Sequence, residues 1–497
     1  MFYKNVLKER ETKTLTLTFD DFEKAPEPVE SSKEKQFDTP YIGYNFKVKN
    51  GVLEDNYGFR DLHLPYSEDD PTEHRQDINC EEILEIWLFR WFDPYALTTD
   101  SFIFYLDKNL HFYYFYEFYF FGDVGDSAIT MTSYPTTFSY RVGQSNMFLM
   151  SSATDDLVVY AGGTNIYSLE NTPKFLSTCI HENSFYGILA TDDSKVVYTK
   201  ELIIPQIEKT EFNELLFLGG EGAKLRKLFS LNDYVYLFRD NGIVKLYPYS
   251  TSATLSISHV YYSSSFIMPE TIVRCGEEIY FLTREGMYKF DGSSVDRVEL
   301  EVFDKIDMSD YQTFKASCMN GKYYLACRIN FDDDEKILCE NSASGYKNNA
   351  VLIYDTFTKD VEIIRGVDIR DFEPVETNLI SKMLCCFYND YKSHLGEITH
   401  DGMFFDQVMP KKWTSVKTDC GYKGKTKLIK KVKLNALKDC QLKIETDKET
   451  KTFNIKGSDK TQTIKLGVRG ETFSVSFVST EKGQKIATPE FEVEVIL

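Results

Sequence analysis

The chain has 497 residues, 42% of them apolar and 15% aromatic, with 38 Phe and 33 Tyr against 3 Trp. That composition excludes disorder of the whole chain, and the length predicts two or three domains or a repeat architecture that spreads its core out. The formal charge of −20 is uneven: residues 411–497 carry 19 Lys and Arg against 11 Asp and Glu, a net +8 that leaves −28 for the first 410.

From the N-terminus, MFYKNVLKER lacks a long apolar core, so no signal peptide is expected. No run approaches the roughly 20 apolar residues of a membrane span. The ten cysteines (Cys80, Cys179, Cys275, Cys318, Cys327, Cys339, Cys385, Cys386, Cys420, Cys440) show no CxxC and no regular spacing. Free thiols and folding in a reducing cytoplasm are expected, a condition that a virus particle assembled there also meets. Residues 1–80 read as a strand (TLTLTF, 14–19), an extended arm (FEKAPEPVESSKEKQ, 22–36) and an acidic loop (SEDDPTEHRQD, 67–77) leading into the next domain.

Over 81–410 short runs rich in Phe, Tyr, Val and Ile recur between turn residues, as in 82–92, 102–118, 157–169 and 195–199. Two short stretches, around Asn79 to Leu88 and Glu301 to Tyr311, are the best helix candidates. The strongest internal evidence is a repeat. Val235-Tyr236-Leu237-Phe238 followed by Gly242-Ile243-Val244-Lys245-Leu246 overlays Ile279-Tyr280-Phe281-Leu282 followed by Gly286-Met287-Tyr288-Lys289-Phe290 at an offset of 44 residues. That offset lies within the roughly 40 to 50 residue period of four-stranded propeller blades. The shared glycine is read as a turn residue of positive φ. Looser copies at 323–329 with 351–364, and at 383–389 with 395–402, bring the count to six or seven blades. A stack of β-sandwiches would also give short strands, but not this echo.

Residues 411–497 change texture. Six alternating segments (KLIKKVKLNA, CQLKIETD, KTFNIKG, TQTIKLG, ETFSVSFVST and PEFEVEVIL) predict a compact, basic β-sandwich with one wet and one dry face. The expected fold is therefore all-β: a β-propeller of six to seven blades with a C-terminal β-sandwich.

Sites of chemistry are sparse. None of the seven histidines (His63, His74, His111, His181, His259, His394, His400) forms HExxH, HxH or a helical pair, and GxSxG and Walker A are absent. LGGEGAKLRK (218–227) lacks the GK[ST] ending of a phosphate loop and reads as a connection between blades. Asp332-Asp333-Asp334-Glu335 and Glu68-Asp69-Asp70 lack the spacing of a calcium loop and read as solvated turns. No catalytic residue, cofactor or metal is assigned. Lys423, Lys425, Lys427, Lys430, Lys431 and Lys433 form a basic stripe that is the one candidate contact for DNA or an acidic partner, although aromatics for base stacking are few there.

Four stretches, NFKVKNGVLEDNYGFRDLHLP (45–65), IYFLTREGMYKFDGSSV (279–295), NNAVLIYDTFTKDVEIIRG (348–366) and KWTSVKTDCGYKGKTKLIKKVKL (412–434), carry a family resemblance. In their order and texture the chain resembles the β-propeller proteins of the neck and tail of tailed bacteriophages, of the packaged-DNA stabilisation and tail nozzle type. The 22–36 arm has no match in that pattern. The resemblance implies a non-enzymatic virion protein: a homo-oligomeric ring, commonly of six copies, that joins portal and tail proteins, retains packaged DNA and releases it at infection. An acidic body that repels phosphates suits a conduit through which DNA slides. Two other readings stand beside it: a receptor- or glycan-binding propeller with aromatics on its blade loops, and a propeller hydrolase or lyase, for which no nucleophile or metal set is seen.

Overall fold

The computed structural model describes residues 11–497, apart from 20–21, 23–39, 63, 66–73, 76–81, 94–97, 117–118, 124–129, 163–165, 205, 218–223, 249–255, 332, 334–335, 342–344, 377–380 and 390–391. Among the described residues the chain between 83 and 399 folds into seven sheets, each built round four antiparallel strands taken in sequence order. Six are local, spanning 83–123, 135–169, 175–216, 225–262, 273–298 and 315–365, and are numbered blades 1 to 6. Blade 7 takes three strands, Asp368–Glu376, Ser381–Asn389 and Lys392–Thr399, and receives its fourth, Gly58–Asp61, from the N-terminal side. A four-strand sheet cannot hide its own apolar faces, so each blade must stack on its neighbours. The first strands of blades 7 and 1, 2 and 3, 3 and 4, 5 and 6, and 6 and 7 touch one another, which places them innermost. The result is a closed seven-bladed propeller whose last blade is completed by a strand from before the first.

The 44-residue repeat is strands two and three of blades 4 and 5, Tyr234–Arg239 with Gly242–Tyr247 and Glu278–Leu282 with Met287–Phe290. Its glycines serve a purpose other than the one expected. Neither Gly242 nor Gly286 has a positive φ. A Cβ on Gly242 would instead stand 2.4 Å from the Tyr261 carbonyl oxygen, so it is the close approach of a neighbouring strand that excludes a side chain. The left-handed positions lie one turn earlier, at Asn232 (φ 52°), Gly276 (φ 65°) and Asn320 (φ 53°), and they too fall at steps of 44 residues.

Both helix candidates are corrected. Ile83–Asp93 is the first strand of blade 1, bonded along its length to Thr98–Asp107; its apolar residues face two neighbouring blades, and a strand buried on both faces has no period to distinguish it. The second region forms only two 3-10 turns, Glu301–Lys305 and Met308–Thr313, with Asp310 outside helical geometry. The expectation of free thiols is also corrected at one place: Cys275 and Cys318, on the first strands of blades 5 and 6, are joined as a disulfide with Cα atoms 5.6 Å apart. The pairing is invisible in sequence because the two cysteines, 43 residues apart, meet only once the blades stack. Cys80 lies outside the described residues, and the other seven cysteines are free.

All six predicted C-terminal segments are strands, in two facing sheets. The N-terminal region joins them: Phe46–Lys49, Val52–Asp55 and Thr12–Thr18 belong to one sheet, and Pro40–Tyr44 extends the other. Phe19 and Phe22 are buried with Trp413, Phe477 and Phe491 between the sheets, so Phe22 is core and not the start of an arm. The rest of the 22–36 arm, and most of the 67–77 loop, lie outside the described residues.

Chain order then forces the two modules together. Asn45, with φ 59° and almost no exposure, sits where the N-terminal strands pass the outer strand of blade 6. Its amide nitrogen donates to the carbonyls of Arg365 (3.1 Å) and Pro410 (2.7 Å), and its amide oxygen accepts from the Arg365 backbone N–H (2.8 Å). Arg365 itself is buried. Its guanidinium donates to Glu340 (3.0 and 3.1 Å) and Asp333 (2.8 Å) and lies over the rings of Phe331 and Tyr44. Asp333 also accepts from Lys412 of the sandwich at 3.0 Å. Of the acidic run 332–335, then, the described member is spent on two cations.

Candidate functional site

A ring of first strands gathers residues that are far apart in sequence. Glu85 (blade 1), Lys227 (blade 4), Lys315 (blade 6) and Asp371 (blade 7) stand near the start of their strands; Glu270, in the turn Pro269–Thr271 ahead of blade 5, and Tyr134, just ahead of blade 2, join them. Lys315 is the hub. Its ammonium donates to Glu85 at 2.6 Å and Glu270 at 3.0 Å, and stands 5.9 Å from the centre of the Tyr134 ring.

The electrostatics follow from burial set against that hub. For Glu85, loss of water outweighs the pull of Lys315 and raises the carboxyl's pKa. Glu270 is half exposed; partial loss of water opposes its ionisation, but Lys315 and Lys227 win and hold it at about 2. Burial, joined by repulsion from Lys315, lowers the Lys227 ammonium, which donates to the Pro269 and Ile272 carbonyls at 3.3 and 3.4 Å. Asp371, pushed up by burial to about 7, accepts the Ile86 N–H at 2.9 Å. Glu373, pushed by burial to about 8, accepts the Leu88 N–H at 3.0 Å. These last two carboxyls bridge the seam between blades 7 and 1, where no strand ladder joins the sheets.

Chemically, the cluster is an internally compensated set of charges. Lys315 has its acceptors, the carboxyls have donors, and among the described residues no group of three or more His, Cys, Asp or Glu is arranged to hold a metal ion. Sequence reasoning missed it. Each member is a lone charge in a strand, and only ring closure brings them together.

The predicted basic stripe is divided by the fold. Thr426–Ala436 carries a bulge between Ile429 and Lys431, which resets the alternation of faces. Lys427 consequently points inward, is fully buried, and donates to the carbonyls of Tyr422 (2.5 Å) and Glu471 (2.6 Å). Lys430, Lys431 and Lys433 face outward and pair across the strands with Glu494, Glu492 (2.7 Å) and Glu490 (3.4 Å). Lys423 and Lys425 are exposed beside the turn that precedes the strand. The glutamates that neutralise the stripe come from PEFEVEVIL, whose alternation with valine was readable but whose strand pairing was not.

Other sequence candidates resolve as packing. His181 Nδ1 lies 2.8 Å from Ser230 Oγ, His394 stacks on Phe387 with its Nδ1 3.3 Å from Asp61, and His400 packs on Tyr57. In 218–227, the described residues Lys224 and Arg226 pair with Asp193 and Asp240, and Lys227 joins the inner cluster. No described helix is long and apolar enough to cross a membrane.

No protein-family model matches the chain, and no curated protein matches it. Among solved structures it is similar to the WD40 domain of Neurospora crassa Pan2, at 10% identity over 68% of this chain and 95% of that one, with a TM-score of 0.37. It is similar to Kluyveromyces lactis Hsv2 at 7% identity over 57% of this chain and 97% of that one, TM-score 0.32. A third is PorZ, a surface component of the type-IX secretion system of Porphyromonas gingivalis, at 11% identity over 74% of this chain and 54% of that one, TM-score 0.34. The seven four-stranded sheets and the two facing sheets beside them make the chain an all-β propeller with an attached β-sandwich.

Proposed function

We propose that the protein is a non-enzymatic building part of a tailed-phage particle, placed in the neck or tail channel as a ring of identical copies. The observation that carries this reading is the double closure of the chain. Its N-terminal region supplies strands to the sandwich, then the last strand of the propeller, while Thr12–Thr18 pairs with the C-terminal strand Lys485–Ile496. The chain crosses between the modules twice, between Asp55 and Gly58 and between Val408 and Lys411, a double tie that suits a part bearing load between larger components. The acidic body, −28 over the first 410 residues, supports a role beside DNA that must slide and not stick. The resemblance of 45–65, 279–295, 348–366 and 412–434 to phage neck and tail propellers supplies the particle.

Mass spectrometry of purified particles, with electron microscopy of the purified protein, tests the proposal. The expected result is a stoichiometric virion component that forms rings. A protein that stays monomeric and is absent from particles would sink it.

A second reading, receptor or glycan binding by the blade loops, is favoured by one observation: Phe357 and Tyr262 are 81% and 71% exposed at blade peripheries. A glycan array decides it; binding lost in Phe357→Ala or Tyr262→Ala supports this reading, and no binding removes it.

A further inference from the structure

The buried ionised groups described above are met by opposite charges or by strong hydrogen bonds; among the described residues Arg239 has no opposite charge. It closes the second strand of blade 4, is 6% exposed, and its Nε has no hydrogen-bond acceptor. Among the described residues its one side-chain hydrogen bond runs from a terminal nitrogen to the Phe217 carbonyl at a long 3.4 Å. Among the described residues no carboxylate pairs with it. The adjacent Asp240 is taken by Arg226, at 2.5 and 3.1 Å. Burial draws the Arg239 pKa down, and the Tyr262 hydroxyl is the one group that opposes this.

A buried guanidinium held by a single neutral acceptor is an expensive thing for a fold to keep, because its desolvation is not offset by an opposite charge. Its surroundings show where an opposite charge would enter. Arg239, Gly242 and Tyr262 form one cross-strand row, running from inside blade 4 to its outer edge. Leu225, paired with Arg239 in the same row, packs in one cluster with Phe217 and Tyr186 of the blade 3 side. The row therefore faces the junction of blades 3 and 4. At its outer end Tyr262 is exposed and stacks on His259 at 5.2 Å between ring centres. The strand that carries both rings, Ser256–Tyr262, holds no Lys, Arg, Asp or Glu, so nothing on it competes for an incoming anion.

We propose that Arg239 is the anchor of an oxyanion-binding site at the outer junction of blades 3 and 4, taking a carboxylate or phosphate group that enters beside Tyr262. The planar fork of the guanidinium, with Nε unoccupied, suits two-point recognition of such a group. The site is separate from the inner cluster and does not depend on the phage reading.

Thermal unfolding of the full chain at fixed ionic strength, with inorganic phosphate, acetate or chloride, tests it. Phosphate or acetate should raise the Tm of the wild type by about 1–2 °C over chloride at tenfold saturation, and the more effective anion identifies the group the site takes. Arg239→Met should abolish that difference while raising the Tm in chloride, since it removes an uncompensated charge. No response to either anion in the wild type, or an equal response in Arg239→Met, overturns the proposal. So does a lowered Tm of the variant combined with an intact response, which would make Arg239 a strut for the Phe217 carbonyl. Arg239→Lys keeps the charge without the fork and gives the same decision if the Met variant does not fold. A response weakened about tenfold supports the site, and an unchanged one counts against it.

Discussion

The blade junctions of the propeller and the outer face of the sandwich handle charge in opposite ways. In the propeller, Arg365, Lys315, Glu85, Asp371 and Glu373 are withdrawn from water at junctions between sheets, where no backbone ladder holds one blade to the next. In the sandwich, Lys430, Lys431 and Lys433 pair with Glu494, Glu492 and Glu490 on an outer face that the strand ladder already fixes. Where backbone bonds define the geometry, side-chain charges add little. Where they stop, charges define it, and each becomes costly to remove.

The largest test of that contrast is Arg365→Met. Leaving the buried Glu340 without its cation, and Asp333 with Lys412 alone, should cost about 3–5 kcal/mol, read as a lower denaturant midpoint. Loss of less than about 1 kcal/mol would show that the joint between propeller and sandwich does not depend on it. Next comes the covalent bridge between blades 5 and 6. Reductant, or Cys318→Ser, should lower stability by about 2–4 kcal/mol, and the two treatments together should do no more than either alone.

The seam between blades 7 and 1 should respond to pH. Burial raises Glu373 to about 8 and Asp371 to about 7 in the folded protein, above the ordinary carboxyl values they recover on unfolding. A raised folded pKa means that the native state binds the extra proton. The contribution is therefore full below about pH 4 and is lost as pH rises through 7 to 8. Stability should fall by up to about 1.4 kcal/mol per pH unit for each such proton, and Glu373→Gln, permanently neutral, should flatten the upper part of the curve. An unchanged curve in that variant would remove Glu373 from the seam. The smallest effect is expected in the sandwich: Lys433→Ala should change stability by about 0.2–1 kcal/mol, and less in high salt.

The sequence was most legible where structure is local. Hairpins of blades 4 to 7 were readable because turn residues and short apolar runs recur within one blade; the six C-terminal strands were readable because each alternates over its own length. Legibility failed at Ile83–Asp93, where burial on both faces removes the alternation, and at the lysine stripe, where a single bulge turns Lys427 inward and sets its neighbours against glutamates 60 or so residues away. Arg239 gave no signal either. An arginine at the end of a strand is ordinary until its surroundings are known.

Composition and period by themselves determined that this chain is all-β, that its middle is a propeller, and that its end is a sandwich. They could do so because strand formation and hairpin turns depend on residues close in sequence. Only the tertiary structure decided that there are seven blades, that residues 58–61 close the ring, that the N-terminal strands complete the sandwich, and which charges meet at the blade junctions. Those outcomes depend on contacts between residues hundreds of positions apart, and a charge carries no mark in the sequence of whether the fold will pair it, bury it or leave it waiting for a partner.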